Sequence, residues 1–128
     1  MKAIDLRSDT VTLPSDEIRK AIFDAQLGDD VFQEDSTVNL LEEKAAQLSG
    51  KEEALLVPSG TMGNLVSFLA HCPRGTEAIL GDRSHTFTYE AGGISAFGGI
   101  HSHQLRNEDD GTIEIESIKN AIRYDNIH

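Results

Sequence analysis

At 128 residues the chain is long enough for one domain with a modest core. Its 22 acidic against 11 basic side chains give a formal charge of −11, which repels phosphate backbones and anionic lipid surfaces and argues against nucleic acid or membrane as partners. Lys2, Asp5 and Arg7 follow Met1 closely, unlike a signal peptide, and the lone Cys72 forbids an internal disulfide and suits a reducing, cytoplasmic setting.

After a short extended start around Ile4 to Leu6, Pro14 and Ser15 precede Ile18, Ile22 and Phe23 on one helical face. This spacing predicts a helix capped by Ser15 and ending near Gly28. Thr37 is the expected cap of a second helix, with Leu40, Leu41, Ala45 and Leu48 as its apolar stripe and Gly50 as its stop. Between them, "GDDVFQED" has neither the central glycine nor the terminal glutamate of a calcium loop in register and reads as a connection. Ala54 to Val57 and Ala78 to Leu80 are short apolar runs that predict strands buried on both faces. Gly60 to His71 predicts the helix crossing between them, making a parallel βαβ unit. A connection rich in glycine (Gly92, Gly93, Gly98, Gly99) leads to a strand at Ile100 to Leu105, a turn at Asp109 to Gly111 and a helix presenting Ile115, Ile118 and Ile122. "YDNIH" falls where an α/β alternation would begin its next strand. No repeat, low-complexity tract or proline-rich linker marks a boundary within the chain.

Ligands of parallel α/β units gather beyond the carboxyl ends of the strands, where helix N-termini offer free N–H groups. "PSGTMGN" falls at such a corner. Gly60 and Gly63 let an anion approach the backbone, Ser59 and Thr61 add hydroxyls, and the helix dipole favours negative charge. A phosphate group suits this stretch, which spells neither of the Gly-rich patterns for a nucleoside triphosphate or a dinucleotide. A plain strand-to-helix turn capped by Ser59 accounts for the same residues equally well. "DRSHTFTYEAGG" brings His85, Tyr89 and Glu90 to the same edge. There His85 either stacks on an aromatic ligand or moves protons with Glu90 as partner, or is a solvated loop histidine. In "DLRSDT", Ser8 and its neighbours either meet a substrate carboxylate or form a solvated arm. His101 and His103 share a strand face, half of a metal site, but no further His or Cys stands at a ligand spacing and no metal is expected.

Taken together, "DLRSDTVTLPS", "GDDVFQED", "TVNLLEEKAAQLSGKEEALLVPSGTMGNL" and "DRSHTFTYEAGG" resemble the N-terminal part of the low-specificity L-threonine aldolases, pyridoxal-phosphate enzymes of the aspartate-aminotransferase fold type, fold type I. Four motifs in order, over nearly the whole chain, carry the likeness. It implies an α/β fold, a partial three-layer sandwich in which residues 1–128 make an incomplete large, cofactor-binding domain with an N-terminal arm at about 1–14. It further implies a lyase that cleaves L-threonine or L-allo-threonine to glycine and acetaldehyde with pyridoxal 5'-phosphate, and a homo-oligomer, usually a tetramer with shared sites. By motif, Ser59, Gly60 and Thr61 would bind the cofactor phosphate. His85 would stack on the pyridine ring and is the candidate for the proton of the substrate hydroxyl, with Glu90 beside the cofactor. Ser8 would meet the amino-acid substrate's carboxylate, and Tyr89 would line the same pocket.

The chain departs from the family's "GDDVYGEDP" at Phe32, Gln33 and Ser36, where the family tends to have tyrosine, glycine and proline. None of Lys2, Lys20, Lys44, Lys51 or Lys119 stands in the motif of the family's Schiff-base lysine. These residues alone are therefore expected to be an inactive fragment of a longer enzyme. Two alternatives remain open: a β-eliminating amino-acid lyase of the same fold type, and a non-catalytic phosphate-binding or interaction module.

Overall fold

In the computed structural model, which describes residues 4–124, the chain divides after Leu56 into two units. The first begins without a strand: Ile4 to Leu6 is irregular, and Ser8 closes a single 3-10 turn at Asp9–Val11. Helix α1 (Asp16–Asp24) starts as expected, with the Ser15 hydroxyl accepting the N–H of Ile18 at 3.3 Å and two acidic residues complementing the helix dipole. It stops short of Gly28, because Ala25 has already turned to extended backbone. The N–H of Gly28 instead donates to the Asp35 carboxylate at 3.1 Å.

That carboxylate also corrects the expected start of α2 (Ser36–Ser49). Asp35, not Thr37, is the cap, accepting the N–H groups of Thr37 and Val38 at 2.9 and 3.0 Å. A charged acceptor serves the dipole better than a hydroxyl, and the Thr37 hydroxyl is used elsewhere, donating to the Gln26 carbonyl at 2.9 Å. Gly50, left-handed at φ +65°, ends α2 as expected. The expected stripe is not a buried one: Ala46 is the buried residue of α2, and Leu48 is 91% exposed. Ala54 to Val57 forms no strand. An apolar run becomes a strand when a neighbouring ladder takes its N–H groups, and here the N–H of Leu56 donates to the Glu42 carboxylate at 2.6 Å.

The second unit carries the sheet. Helix α3 (Gly60–His71), strand β1 (Glu77–Gly81), the short helices α4 (His85–Thr88) and α5 (Gly93–Ala96), strand β2 (His101–Leu105) and helix α6 (Ile115–Ala121) follow in order. β1 and β2 pair in parallel, Glu77 opposite His101 and Gly81 opposite Leu105. The expected strand–helix–strand unit around α3 is therefore corrected: the parallel partner of β1 is β2, reached through α4 and then α5, the latter within the expected Gly-rich connection. Ile100 and Ile94, 1% and 3% exposed, form the core with Ala78, and Leu65, Phe68, Cys72 and Leu80 pack against it. A β-carbon on Gly81 would lie 2.3 Å from the Asn107 amide, which needs that space to accept the N–H of Arg83 at 2.9 Å. The result is an α/β unit with a small parallel sheet. The strand anticipated at "YDNIH" falls mostly outside the described residues. Among the described residues no helix is long and apolar enough to cross a membrane.

Candidate active site

Ser59 is extended and caps α3, its hydroxyl oxygen accepting the N–H of Met62 at 3.1 Å and its carbonyl that of Gly63 at 3.0 Å. Among the described residues no acceptor takes the N–H of Gly60 or Thr61. Those are two of the donors that every helix start leaves over. The segment is exposed, and a β-carbon added at Gly60 would have no atom within 4 Å. Two backbone N–H groups, the hydroxyls of Ser59 and Thr61 and the positive end of a twelve-residue helix thus open on free space. This donor set suits a phosphate group.

One turn along α3, Asn64 leaves the helix as a polar residue among Met62, Leu65, Val66 and Phe68. Its amide donates to Glu90 Oε1 at 2.7 Å, and His85 Nδ1 lies 2.8 Å from the same oxygen. Glu90 is 7% exposed, whereas the His85 side chain is 62% exposed. Burial pushes the Glu90 carboxyl up, but the hydrogen bonds from Asn64 and His85 outweigh it and hold the group below its usual range. The pair is built locally. Ser84 caps α4, His85 is its first residue, and Glu90 follows its last turn. Ala91 and Gly92, both left-handed at φ +52° and +66°, then reverse the chain, and the N–H of Gly93 donates to the Glu90 carbonyl at 2.9 Å. The Tyr89 ring lies 5.2 Å from that of His85, tilted by 49°.

The second unit thus joins His85, Tyr89 and Glu90 and ties them through Asn64 to the helix that starts at Ser59, Gly60 and Thr61. Ser8 belongs to the first unit, where its contacts are local: it accepts from the Thr10 N–H and hydroxyl at 3.2 and 2.9 Å. Sequence reasoning passed over Asn64. The available signal was its spacing of four from Gly60, which puts both on one side of the helix.

A separate group surrounds Glu77 at the start of β1. Arg123 clasps its carboxylate with Nε at 2.8 Å and a terminal nitrogen at 2.9 Å, while His101 and His103 lie 3.4 and 3.3 Å away. Chiefly because of Arg123, with help from His103, the Glu77 carboxyl is lowered to about 2. The two histidines therefore gather on a carboxylate already paired with a guanidinium. Among the described residues no group of three His, Cys, Asp or Glu could hold a metal.

The geometry defines an α/β protein in which an anion-ready helix start stands beside a carboxylate–imidazole pair. Residues 5–128 match the family described as beta-eliminating lyase, and the chain belongs to that family. It is 54% identical to low-specificity L-threonine aldolase 1 of Arabidopsis thaliana and 52% identical to the probable low-specificity L-threonine aldolase 2 of the same plant, each over 96% of this chain and 35% of the relative. It is 46% identical to the low specificity L-threonine aldolase of Escherichia coli over 98% of this chain and 38% of that protein. The chain thus spans little more than a third of the length of the relatives it matches.

Proposed function

We propose that these residues form the phosphate-binding part of a pyridoxal-phosphate-dependent threonine aldolase, acting on L-threonine or L-allo-threonine in the protein at its native length. The reading extends the fold to the first part of a three-layer fold type I domain, and the assembly to a homo-oligomer in the cytoplasm. One observation supports it: Asn64, on the helix whose open start would seat the phosphate, donates to the Glu90 carboxylate that His85 also faces, so the start of α3 and the imidazole would serve one ligand. The names of the relatives support the choice of substrate.

Ser59, Gly60 and Thr61 would hold the cofactor's phosphate with the donors described above. When bound, the pyridinium ring withdraws electrons as the Cα–Cβ bond of the amino acid breaks. His85, exposed and flanked by Tyr89, would lie against that ring and accept the proton of the substrate's β-hydroxyl. Glu90 would orient the imidazole from behind, and Tyr89 would close the side of the pocket. Ser8 is the group proposed for the substrate carboxylate, in its own subunit or a neighbour's. The covalent anchor for the cofactor is a lysine for which this chain has no counterpart in the matching motif, so no useful turnover is assigned to residues 1–128 by themselves.

The experiment is a titration of the protein with pyridoxal 5'-phosphate and, separately, with pyridoxal, followed by the backbone amide signals of Gly60 and Thr61. Shifts that need the phosphate, and that weaken at least ten-fold in apparent affinity in Thr61→Val, are expected. Equal responses to the two compounds would refute the phosphate seat. The family's own description favours a second reading, β-elimination from a β-substituted amino acid on the same cofactor. Release of pyruvate from such a substrate, with none of glycine from threonine, would select it.

A further inference from the structure

Glu90 Oε1 receives two neighbours at hydrogen-bonding distance, Asn64 Nδ2 at 2.7 Å and His85 Nδ1 at 2.8 Å. An ionised carboxylate oxygen only accepts, so the imidazole nitrogen facing it carries a proton. A neutral imidazole has one such proton, which leaves Nε2 as the bare nitrogen, and among the described residues Nε2 has no partner. Asn64 stands on α3, whereas Glu90 and His85 come from the segment after β1. Its amide is the tie between that segment's carboxylate and the helix that starts at the phosphate seat. Without the amide, a buried Glu90 would keep one partner instead of two, and the penalty of burying its charge would stand less opposed. A protonated Glu90 can donate to Nδ1, which would move the imidazole proton to Nε2.

We propose that Asn64 is a positioning residue: its amide holds Glu90 ionised and aimed at His85 Nδ1, and so keeps His85 Nε2 bare as the proton acceptor of the site. The catalytic part of this inference rests on the reading of His85 as the group that takes the substrate's hydroxyl proton; the tautomer rests on the contacts of Asn64 and His85 with an ionised Glu90.

The test labels the five histidines with 15N and reads each ring by long-range proton–nitrogen correlation at neutral pH, with His85→Gln identifying the His85 signals. The parent protein should show His85 protonated at Nδ1 and bare at Nε2. In Asn64→Leu and Asn64→Ala, neither of which can donate to Glu90, the Nε2-protonated form should rise at least five-fold, with the His101 and His103 signals unmoved. Asn64→Gln, which keeps a donor, should restore part of the parent pattern. An Nε2-protonated His85 in the parent overturns the proposal even if a variant fails to fold, and so does an unchanged ratio in both variants. If the tautomer shifts as stated while threonine cleavage at native length is untouched, the positioning of the ring stands and the proton-accepting role of His85 falls.

Discussion

Gln33 carries an ordinary side chain at φ +59°, a left-handed conformation that costs a residue with a β-carbon about 1 kcal/mol. The aldolases this chain resembles tend to have glycine there. Ser36, where they tend to have proline, is the first residue of α2, a position whose φ proline presets. Gln33→Gly should therefore raise the unfolding free energy by about 0.5–1 kcal/mol, read as a higher urea midpoint at unchanged slope, and a lower midpoint would contradict the strain. Glu90→Leu removes the acceptor of both Asn64 and His85 and should lower threonine cleavage at native length by about a hundred-fold, the range expected when a general base loses its alignment. At this scale the sequence was informative wherever a residue acts through its own type. Ser15 and Ser59 cap where they were expected, and His85 and Glu90 meet, which is one of the two arrangements that the residue types allow. Asn64 was silent because it sits inside an apolar helical pattern and its partner lies 26 residues away.

Among the elements, helices were legible and strand pairing was not. Gly60 to His71 is a helix over the expected residues because its cap and periodicity are local. Whether Ala54 to Val57 becomes a strand depends on a partner, which no local pattern states, and Glu42 takes the N–H of Leu56 instead. The cap of α2 was misplaced by two residues because Asp35 and Thr37 both qualify by type, and the carboxylate wins by also holding Gly28. Asp35→Ala should cost about 1–2 kcal/mol, seen as lost helicity and an earlier thermal transition, and a cost near zero would return the capping role to Thr37. The Glu77 clasp predicts an acid response. Its folded pKa, about 2, lies below its ordinary 4.5, so its contribution is complete above that ordinary value and fades as pH falls toward 2. Stability measured by denaturant across that window should fall with pH less steeply in Arg123→Met than in the parent protein. An equal slope would show that the clasp does not couple to folding.

For the molecule as a whole, four motifs in order pointed to the low-specificity threonine aldolases, and the names of the relatives bear that likeness out. What composition could not convey is how little of the apolar surface these residues bury by themselves. Phe23, Leu27 and Leu48 in the first unit and Phe97 in the second are each at least 72% exposed. Phe23 and Leu48 lie on the apolar stripes that periodicity marks, yet a pattern specifies which face is apolar and not what covers it. This seat and its imidazole are proposed to serve carbon–carbon cleavage of a β-hydroxy amino acid. The most direct measurement offers L-threonine and a β-substituted amino acid side by side to the protein at native length, loaded with pyridoxal 5'-phosphate, and to its His85→Phe variant. The expected result is glycine and acetaldehyde from threonine, lowered about a hundred-fold or more in the variant, which keeps a stacking ring but has no proton acceptor. Pyruvate from the substituted substrate without glycine from threonine, or full cleavage by His85→Phe, would contradict it.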